Sequence, residues 1–285
     1  MSVEAEPSVP RNASPGVPRS SHVPKPRTPG VDLESPIPRH WLAGSAVATH
    51  IANGVNLLFP AGERFFVRSV NHYLDKVESP VLRAQIKGFY GQEGRHAKEH
   101  ERVFSLLEEQ GYDVKRFLRL YERIAYGVIE KLSSPELRLA TTAACEHYTA
   151  IMAEGALTKG ILDQAHPEMR ALLLWHAAEE IEHRAVAFDV LQLVNPSYRL
   201  RMAGLAMATA TLVGFWVMGT TSLLAQEKGL SLGRFASQWK DARLVNERRD
   251  VFGRGIREYM KRDFHPSQKD IDGLAQSYLA SAGLA

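Results

Sequence analysis

Apolar residues recur at helical spacing from Trp41 to about Ser267, and no segment alternates apolar and polar residues long enough to predict a strand. The fold class is therefore expected to be all-α. Serine, proline and glycine residues that start or end helices divide this pattern into separate elements. The predicted helices are 43–77, 80–110, 113–132, 135–162, 167–194, 197–226, 231–262 and 267–282.

The N-terminal segment is the exception to this pattern. Residues 1–38 contain more than half of the chain's 15 prolines and show no helical periodicity. Such a segment buries too little apolar surface to offset the entropy lost on ordering. We therefore predict a disordered proline-rich tail over 1–38, a helical bundle over 39–195 and a C-terminal helical extension over 196–285.

The extension includes an unusual segment, residues 202–225, that carries no formally charged side chain. Its length is sufficient to cross a bilayer. Several Gly, Thr and Ser residues make it less apolar than a typical spanning helix, so a buried or membrane-surface helix is the favoured alternative. Membrane association or a homodimer interface would cover this segment. A lipid-like substrate would suit both a spanning helix and a buried or membrane-surface helix.

Charge and cysteine content narrow the functional classes. The formal net charge of +3 is small, and the basic residues are interspersed with acidic ones, so no nucleic-acid partner is expected. The single Cys145 excludes an internal disulfide, and the N-terminal segment lacks the apolar run of a secretory signal. The expected localisation is cytoplasmic, with membrane association through 202–225 as a variant.

Two predicted helices carry the same pair of metal-binding residue types. Glu93 and His96 form a Glu-x-x-His pair, and Glu180 and His183 form another. His176 precedes Glu180 by one turn, and at about 100° per residue it shares a helix stripe with the second pair. One such pair is usually solvated surface charge, but its recurrence on two helices favours a metal site.

Two further glutamates lie where the helical pattern predicts buried core. Glu63 shares a helix face with Phe59 and Phe66, and Glu146 lies among small residues. A carboxylate-bridged dinuclear site needs a Glu from each of two helices and a Glu-x-x-His pair from each of two others. Two divalent cations would balance the four buried carboxylates. The predicted ligands are Glu63, Glu93, His96, Glu146, His176, Glu180 and His183.

The chemistry of these ligands indicates the metal. Carboxylates supported by imidazoles favour two iron ions, with manganese as the second choice, and a lone thiol cannot build a sulfur site. No catalytic residue separate from the ligands is predicted. Five neighbours are expected to be structural or to support the ligands, with His100 one turn from a ligand and His147 facing another helix: Tyr90, Glu99, His100, His147 and Glu154.

The seven residues resemble the ligand pattern of the non-haem di-iron N-oxygenases of the p-aminobenzoate N-oxygenase type, in which a histidine matched here by His176 is an additional ligand. Over approximately residues 40–265, the chain looks even more like a bacterial family described as predicted metal-dependent hydrolases. The uncharged segment 202–225 departs from the soluble N-oxygenases. The resemblance implies a ferritin-like four-helix bundle with additional C-terminal helices and a dinuclear metal site.

Three functions remain as hypotheses. The first is a di-iron oxygenase that activates O₂, with an external electron donor, to oxidise an apolar or amine-bearing small molecule. The second is a hydrolase that uses a metal-activated water. No strand is predicted that could present a Gly-x-Ser-x-Gly elbow, and the sequence contains no His-Glu-x-x-His, so it gives the hydrolase little independent support. The third is a metal-storage or structural bundle without an organic substrate.

Overall fold

The computed structural model describes residues 22–241 and 253–285. Within these ranges the regular structure is helical, apart from an isolated β-bridge between Leu42 and Ala165. The all-α prediction is confirmed, and the helices pack side by side as a bundle.

The helices follow one another with short connections. Their bounds are α1 (Ala46–Asn56), α2 (Phe59–Asn71), α3 (Pro80–Glu109), α4 (Lys115–Ile124), α5 (Pro135–Thr158), α6 (Pro167–His183), α7 (Val186–Val194), α8 (Tyr198–Leu224), α9 (Leu232–Asp241) and α10 (Asp272–Ser281). Helix α4 continues through a π-helical turn, Ala125–Ile129, into Glu130–Leu132, and residues 253–259 are also helical.

Serine residues fix the starts of three long helices. The Oγ atoms of Ser79, Ser134 and Ser197 accept hydrogen bonds from the third backbone N–H beyond them, at the starts of α3, α5 and α8. Proline in the first turn of α3 and α5 adds to the signal, since it needs no intrahelical donor there. These starts agree with the sequence-based prediction.

Two predicted helices are divided in the structure. The predicted helix 43–77 breaks at Leu57 and Leu58, just before Pro60 in the first turn of α2. The predicted helix 167–194 breaks after His183, where the Arg184 guanidinium donates to the Ile181 carbonyl at 2.5 Å. That side chain satisfies an acceptor that the next helical turn would otherwise use. The predicted helix 231–262 is described only in part, since 242–252 lie outside the described residues.

The N-terminal segment also differs from its prediction. Residues 22–38 contain no helix, yet Val31, Leu33 and Ile37 are buried against the bundle. Apolar residues in an extended segment can pack without any helical period, so periodicity is a poor guide to their burial. The remainder of the predicted tail, 1–21, lies outside the described residues. The boundaries at 38/39 and 195/196 stay predictions.

Helix α8 contains the uncharged segment. It packs against α5 and α1, where Gly204 meets Ala140 and Gly54 meets Thr220. Its mean hydropathy is 1.6 over its 18-residue window, of which 28% is buried, and by length and composition it is long enough to cross a membrane. A buried helix of a soluble bundle passes the same test. Membrane association and a homodimer interface stay predictions.

Replacing Gly204 by alanine is expected to lower the free energy of unfolding by about 1–3 kcal/mol. A methyl group there would lie 2.4 Å from the Ala140 backbone carbonyl, so α5 and α8 would have to separate. Gly214 in the same helix has nothing within 4 Å of that position. The matched Gly214→Ala variant should gain roughly 0.5–1 kcal/mol. Urea unfolding followed by circular dichroism measures both, and equal effects would contradict close helix packing at Gly204.

Candidate metal centre

The structure brings the seven predicted ligands together inside the bundle. Helix α2 contributes one, α3 two, α5 one and α6 three. None of the seven is more than 4% exposed. They are Glu63 on α2, Glu93 and His96 on α3, Glu146 on α5, and His176, Glu180 and His183 on α6.

One end of the cluster forms around His183. Its Nε2 lies 3.2 Å from Glu93 Oε1 and 3.3 Å from Glu146 Oε2. The same nitrogen lies 3.5 Å from Glu180 Oε2. The Glu93, Glu146 and His183 ligand atoms are all within 4.8 Å of one another, so a single cation could bind all three.

The other end forms around His96 and His176. Glu180 Oε1 lies 2.8 Å from His176 Nε2 and 3.5 Å from His96 Nδ1, while Glu63 Oε1 is 3.9 Å from His176 Nε2. Glu93 also groups with Glu63 and His96 within 4.8 Å. Glu93 and Glu180 therefore lie between the two ends, where carboxylates shared by two cations would lie.

Most ligand atoms in the cluster have no hydrogen-bond partner. A buried polar group without a partner costs about 1–3 kcal/mol, and more when it is charged. Several such groups point into the same small volume, as expected for ligands of a pair of cations. The cations would accept their lone pairs and balance the charge of four carboxylates. The unpartnered atoms are both carboxylate oxygens of Glu63, Glu93 and Glu146, together with Glu180 Oε2, His96 Nδ1 and His183 Nε2.

The metal-free cluster therefore holds protons. Burial raises the pKa of Glu146 to about 8, and burial together with the charge of Glu93 raises the pKa of Glu63 well above its usual range. Burial opposes protonation of His96, but the nearby carboxylates of Glu179 and Glu180 raise its pKa to about 10. Metal binding would displace these protons.

Gln92 fixes the orientation of His183. The Gln92 amide nitrogen donates to Glu182 Oε2 at 2.7 Å and to the Lys25 carbonyl at 3.2 Å. Two acceptors on that side leave the amide oxygen to face His183 Nδ1 at 2.9 Å, so Nδ1 donates. His183 thus presents Nε2 to the carboxylates, as a metal-binding histidine does when its other nitrogen is held by a neighbour.

Glu179 does the same for His96. His96 Nε2 lies 3.0 Å from Glu179 Oε2, and an ionised carboxylate only accepts, so Nε2 is the donor. His96 Nδ1 then faces the cluster. Both histidines of the Glu-x-x-His pairs are consequently held with one nitrogen directed at the ligand cluster.

His176 is held by His100, a residue that the sequence placed one turn from the ligands. His176 Nδ1 pairs with His100 Nε2, and His100 Nδ1 pairs with Asn56 Oδ1. Burial, with the nearby His96, lowers the pKa of His176 to about 4, so this ring is neutral. The Phe59 ring covers both imidazoles, with centroids 4.6 Å from His176 and 4.8 Å from His100.

The other polar neighbours considered from the sequence have partners elsewhere. The prediction that His147 faces another part of the chain is confirmed, because its Nε2 lies 2.8 Å from the Gly255 carbonyl. The partners of the remaining three are Asn71 for Tyr90, Arg102 for Glu99, and Lys269 for Glu154.

A second histidine and glutamate group lies beyond the end of α8. Glu227 Oε1 is 2.6 Å from His50 Nε2, 3.1 Å from His40 Nε2 and 3.5 Å from Arg39 Nε, and it also accepts from Tyr112 Oη. This carboxylate oxygen is surrounded by hydrogen-bond donors, one of which is the permanently charged guanidinium of Arg39. We therefore assign the group a structural role in holding the segment after α8.

Among the residues that orient the proposed ligands, His100 was expected from the sequence, whereas Glu179 and Glu182 were not. Glu179 and Glu182 each precede a ligand by one position, in a run whose composition is typical of a surface. Glu179 is nevertheless fully buried. The available signal was their spacing, because residues three apart on α6 share a face adjoining the ligand stripe.

An apolar cavity of about 140 Å³ adjoins the His176 end of the cluster. Its walls include Phe59, Trp216 and small residues of α5, and it reaches His176 and Glu180. Apart from these two ligands, Thr149 supplies the polar side chain among the lining residues. The cavity suits a small apolar group beside the cluster.

Comparison with known families gives one result. A family model with the description predicted metal-dependent hydrolase matches residues 25–270 of the chain. No curated protein and no solved structure matches.

Proposed function

Since the chain belongs to the family described as predicted metal-dependent hydrolases, we propose that it is an enzyme whose reaction occurs at two metal ions in the bundle. The observation that carries the proposal is the convergence of unpartnered buried ligand atoms from four helices. The proposed ligands are Glu63, Glu93, His96, Glu146, His176, Glu180 and His183.

The arrangement of the ligands supports a ferritin-like centre. Helices α2 and α5 each supply one glutamate, whereas α3 and α6 each supply a Glu-x-x-His pair. His176 adds a third imidazole. Carboxylates with imidazoles suit iron first and manganese second, so we propose iron as the metal in the active enzyme.

The surroundings of the ligands favour oxidation of an apolar small molecule. A pair of irons, when bound, would supply redox chemistry with O₂ and an external reductant. Among the described residues, those that line the adjoining cavity include no lysine, arginine or amide side chain to hold a phosphate or peptide group. Phe59 and Trp216 would instead place an apolar substrate beside His176 and exclude water from the reacting groups.

Iron loading with oxygen exposure tests this function. Metal-free protein loaded anaerobically with Fe(II) should bind two ions per chain and show the Mössbauer signature of a coupled pair. Exposure to O₂ should oxidise both irons and consume O₂ in proportion to protein. An iron content far above two ions per chain would indicate storage. A reduced iron pair that consumes no O₂ would contradict the proposed oxidation of a substrate by O₂.

Hydrolysis is the second candidate, and the description of the family favours it. Metal ions, when bound, would supply an activated water for that reaction, and the same seven residues would hold them. Activity towards apolar esters or amides with Zn(II) or Mn(II), in protein whose iron form does not react with O₂, would favour this candidate. Activity that requires reductant and O₂ would exclude it.

A further inference from the structure

An extended segment of residues 22–28, here named the strap, lies along α3. Two glycines of α3 make room for it. A methyl group at Gly88 would lie 2.2 Å from the Pro24 carbonyl, and one at Gly91 would lie 2.3 Å from Pro26 Cγ. The strap therefore rests directly on the helix that carries Glu93 and His96.

Arg27 fastens the strap to α6. Its backbone N–H donates to Glu179 Oε1 at 3.1 Å, and its Nη1 reaches the same oxygen at 3.3 Å. Nη1 and Nη2 also donate to the two oxygens of Glu182 at 2.7 and 3.0 Å, which is a bidentate pair. The Arg27 side chain is only 11% exposed.

Each of the two carboxylates bound by Arg27 is connected through hydrogen bonds to a proposed metal ligand. Glu179 holds His96 directly through Nε2 at 3.0 Å. Glu182 holds Gln92, which in turn holds His183 Nδ1 at 2.9 Å. The Arg27 guanidinium thus contacts both Glu179 and Glu182, the two carboxylates through which His96 and His183 are oriented.

We propose that Arg27 is a positioning residue of the metal centre, which fixes His96 and His183 simultaneously through Glu179 and Glu182. The proposal rests on the proposed function, since it requires that the seven residues bind metal. Without Arg27, the Glu179 and Glu182 carboxylates would lose the guanidinium that they share, and their like charges would drive them apart. That movement would release the hydrogen bonds that direct the histidines.

Arg27→Met is the direct test, with Co(II) as a spectroscopic metal probe. We expect Co(II) affinity to fall about 10- to 100-fold relative to the unaltered protein, as for other residues that support ligands. The visible absorption bands of bound Co(II) should shift, because the histidines change orientation. Arg27→Lys should recover only part of the affinity, because an ammonium cannot bind both carboxylates in the bidentate geometry.

Thr28→Ala is the matched control on the strap. Thr28 Oγ1 accepts from Arg95 Nη1 at 2.7 Å, a contact that anchors the strap without touching Glu179 or Glu182. This variant should retain Co(II) affinity within about twofold and an unchanged spectrum. Circular dichroism of the metal-free proteins checks that each variant is folded.

The outcomes separate the two proposals. Unaltered protein that binds no Co(II) would overturn the metal centre and, with it, the role of Arg27. Unaltered protein that binds two Co(II) ions, with the same affinity and spectrum in Arg27→Met, would overturn the role of Arg27 alone. Equal losses in Arg27→Met and Thr28→Ala would also overturn it, because strap attachment would then be the cause. If Arg27→Met fails to fold, an unshifted spectrum in Arg27→Lys would count against the proposal.

Discussion

Replacing Glu180 by glutamine is expected to lower metal affinity more than about 100-fold and reduce bound iron to below one ion per chain. The two oxygens of the Glu180 carboxylate lie within 3.5 Å of ring nitrogens of His96, His176 and His183. Loss of such a shared ligand should exceed the 10- to 100-fold effect of removing a residue that merely supports one. Iron analysis after anaerobic loading and desalting measures the change.

Glu99→Gln provides the matched control for this substitution. Glu99 is also a buried glutamate, only 6% exposed, but it pairs with Arg102 at 2.6 Å instead of facing the ligand cluster. The same chemical change there should leave the iron content at two ions per chain. Full iron binding by Glu180→Gln would remove Glu180 from the ligand set.

The stability of the metal-free protein is expected to fall by about 2 kcal/mol or more between pH 6.5 and pH 8. Burial raises the pKa of Glu146 from 4.5 to about 8 in the folded protein. A raised pKa contributes stability that is complete below the unfolded value and is lost as pH rises through the folded value, at about 1.4 kcal/mol per pH unit. His96, with its pKa raised to about 10, changes stability in the same direction over this range.

Metal should reverse this dependence. The ligands bind a cation only after losing their protons, so metal affinity and the stability it confers rise with pH. Thermal unfolding at several pH values, with and without Mn(II), measures both trends. Glu146→Gln, which stays neutral, should show a flatter profile without metal. A metal-free protein that gains stability from pH 6.5 to pH 8 would contradict a buried protonated cluster.

The fold class and the close approach of the seven proposed ligands are the parts that the sequence predicts well. Helical period and capping residues are local signals, and they identify the all-α class and the starts of α3, α5 and α8. The ligands are recognisable because their spacing follows the helix repeat, which places Glu93 with His96 and Glu180 with His183 on shared faces. The structure brings the seven residues together as that spacing predicts.

What the sequence did not predict depends on contacts between distant segments. At the break after His183, Arg184 donates to the Ile181 carbonyl and to the distant Lys269 carbonyl, and no local residue pattern predicts these contacts. The strap has no period because its proline-containing backbone makes no helix, and its packing against α3 depends on Gly88 and Gly91. The bond from Arg27 to Glu179 joins residues separated by 152 positions, so neither sequence neighbourhood reveals it.

That separation has a consequence for the order of assembly during synthesis. The strap leaves the ribosome before any of the helices that carry the proposed ligands, yet Glu179 and Glu182 are not available to Arg27 until α6 has been made and packed. Contacts between such distant residues form slowly, because the intervening chain must first be ordered. Docking of the strap is therefore expected to be a late folding event, so that His96 and His183 receive their final orientation only after the helices of the bundle have packed.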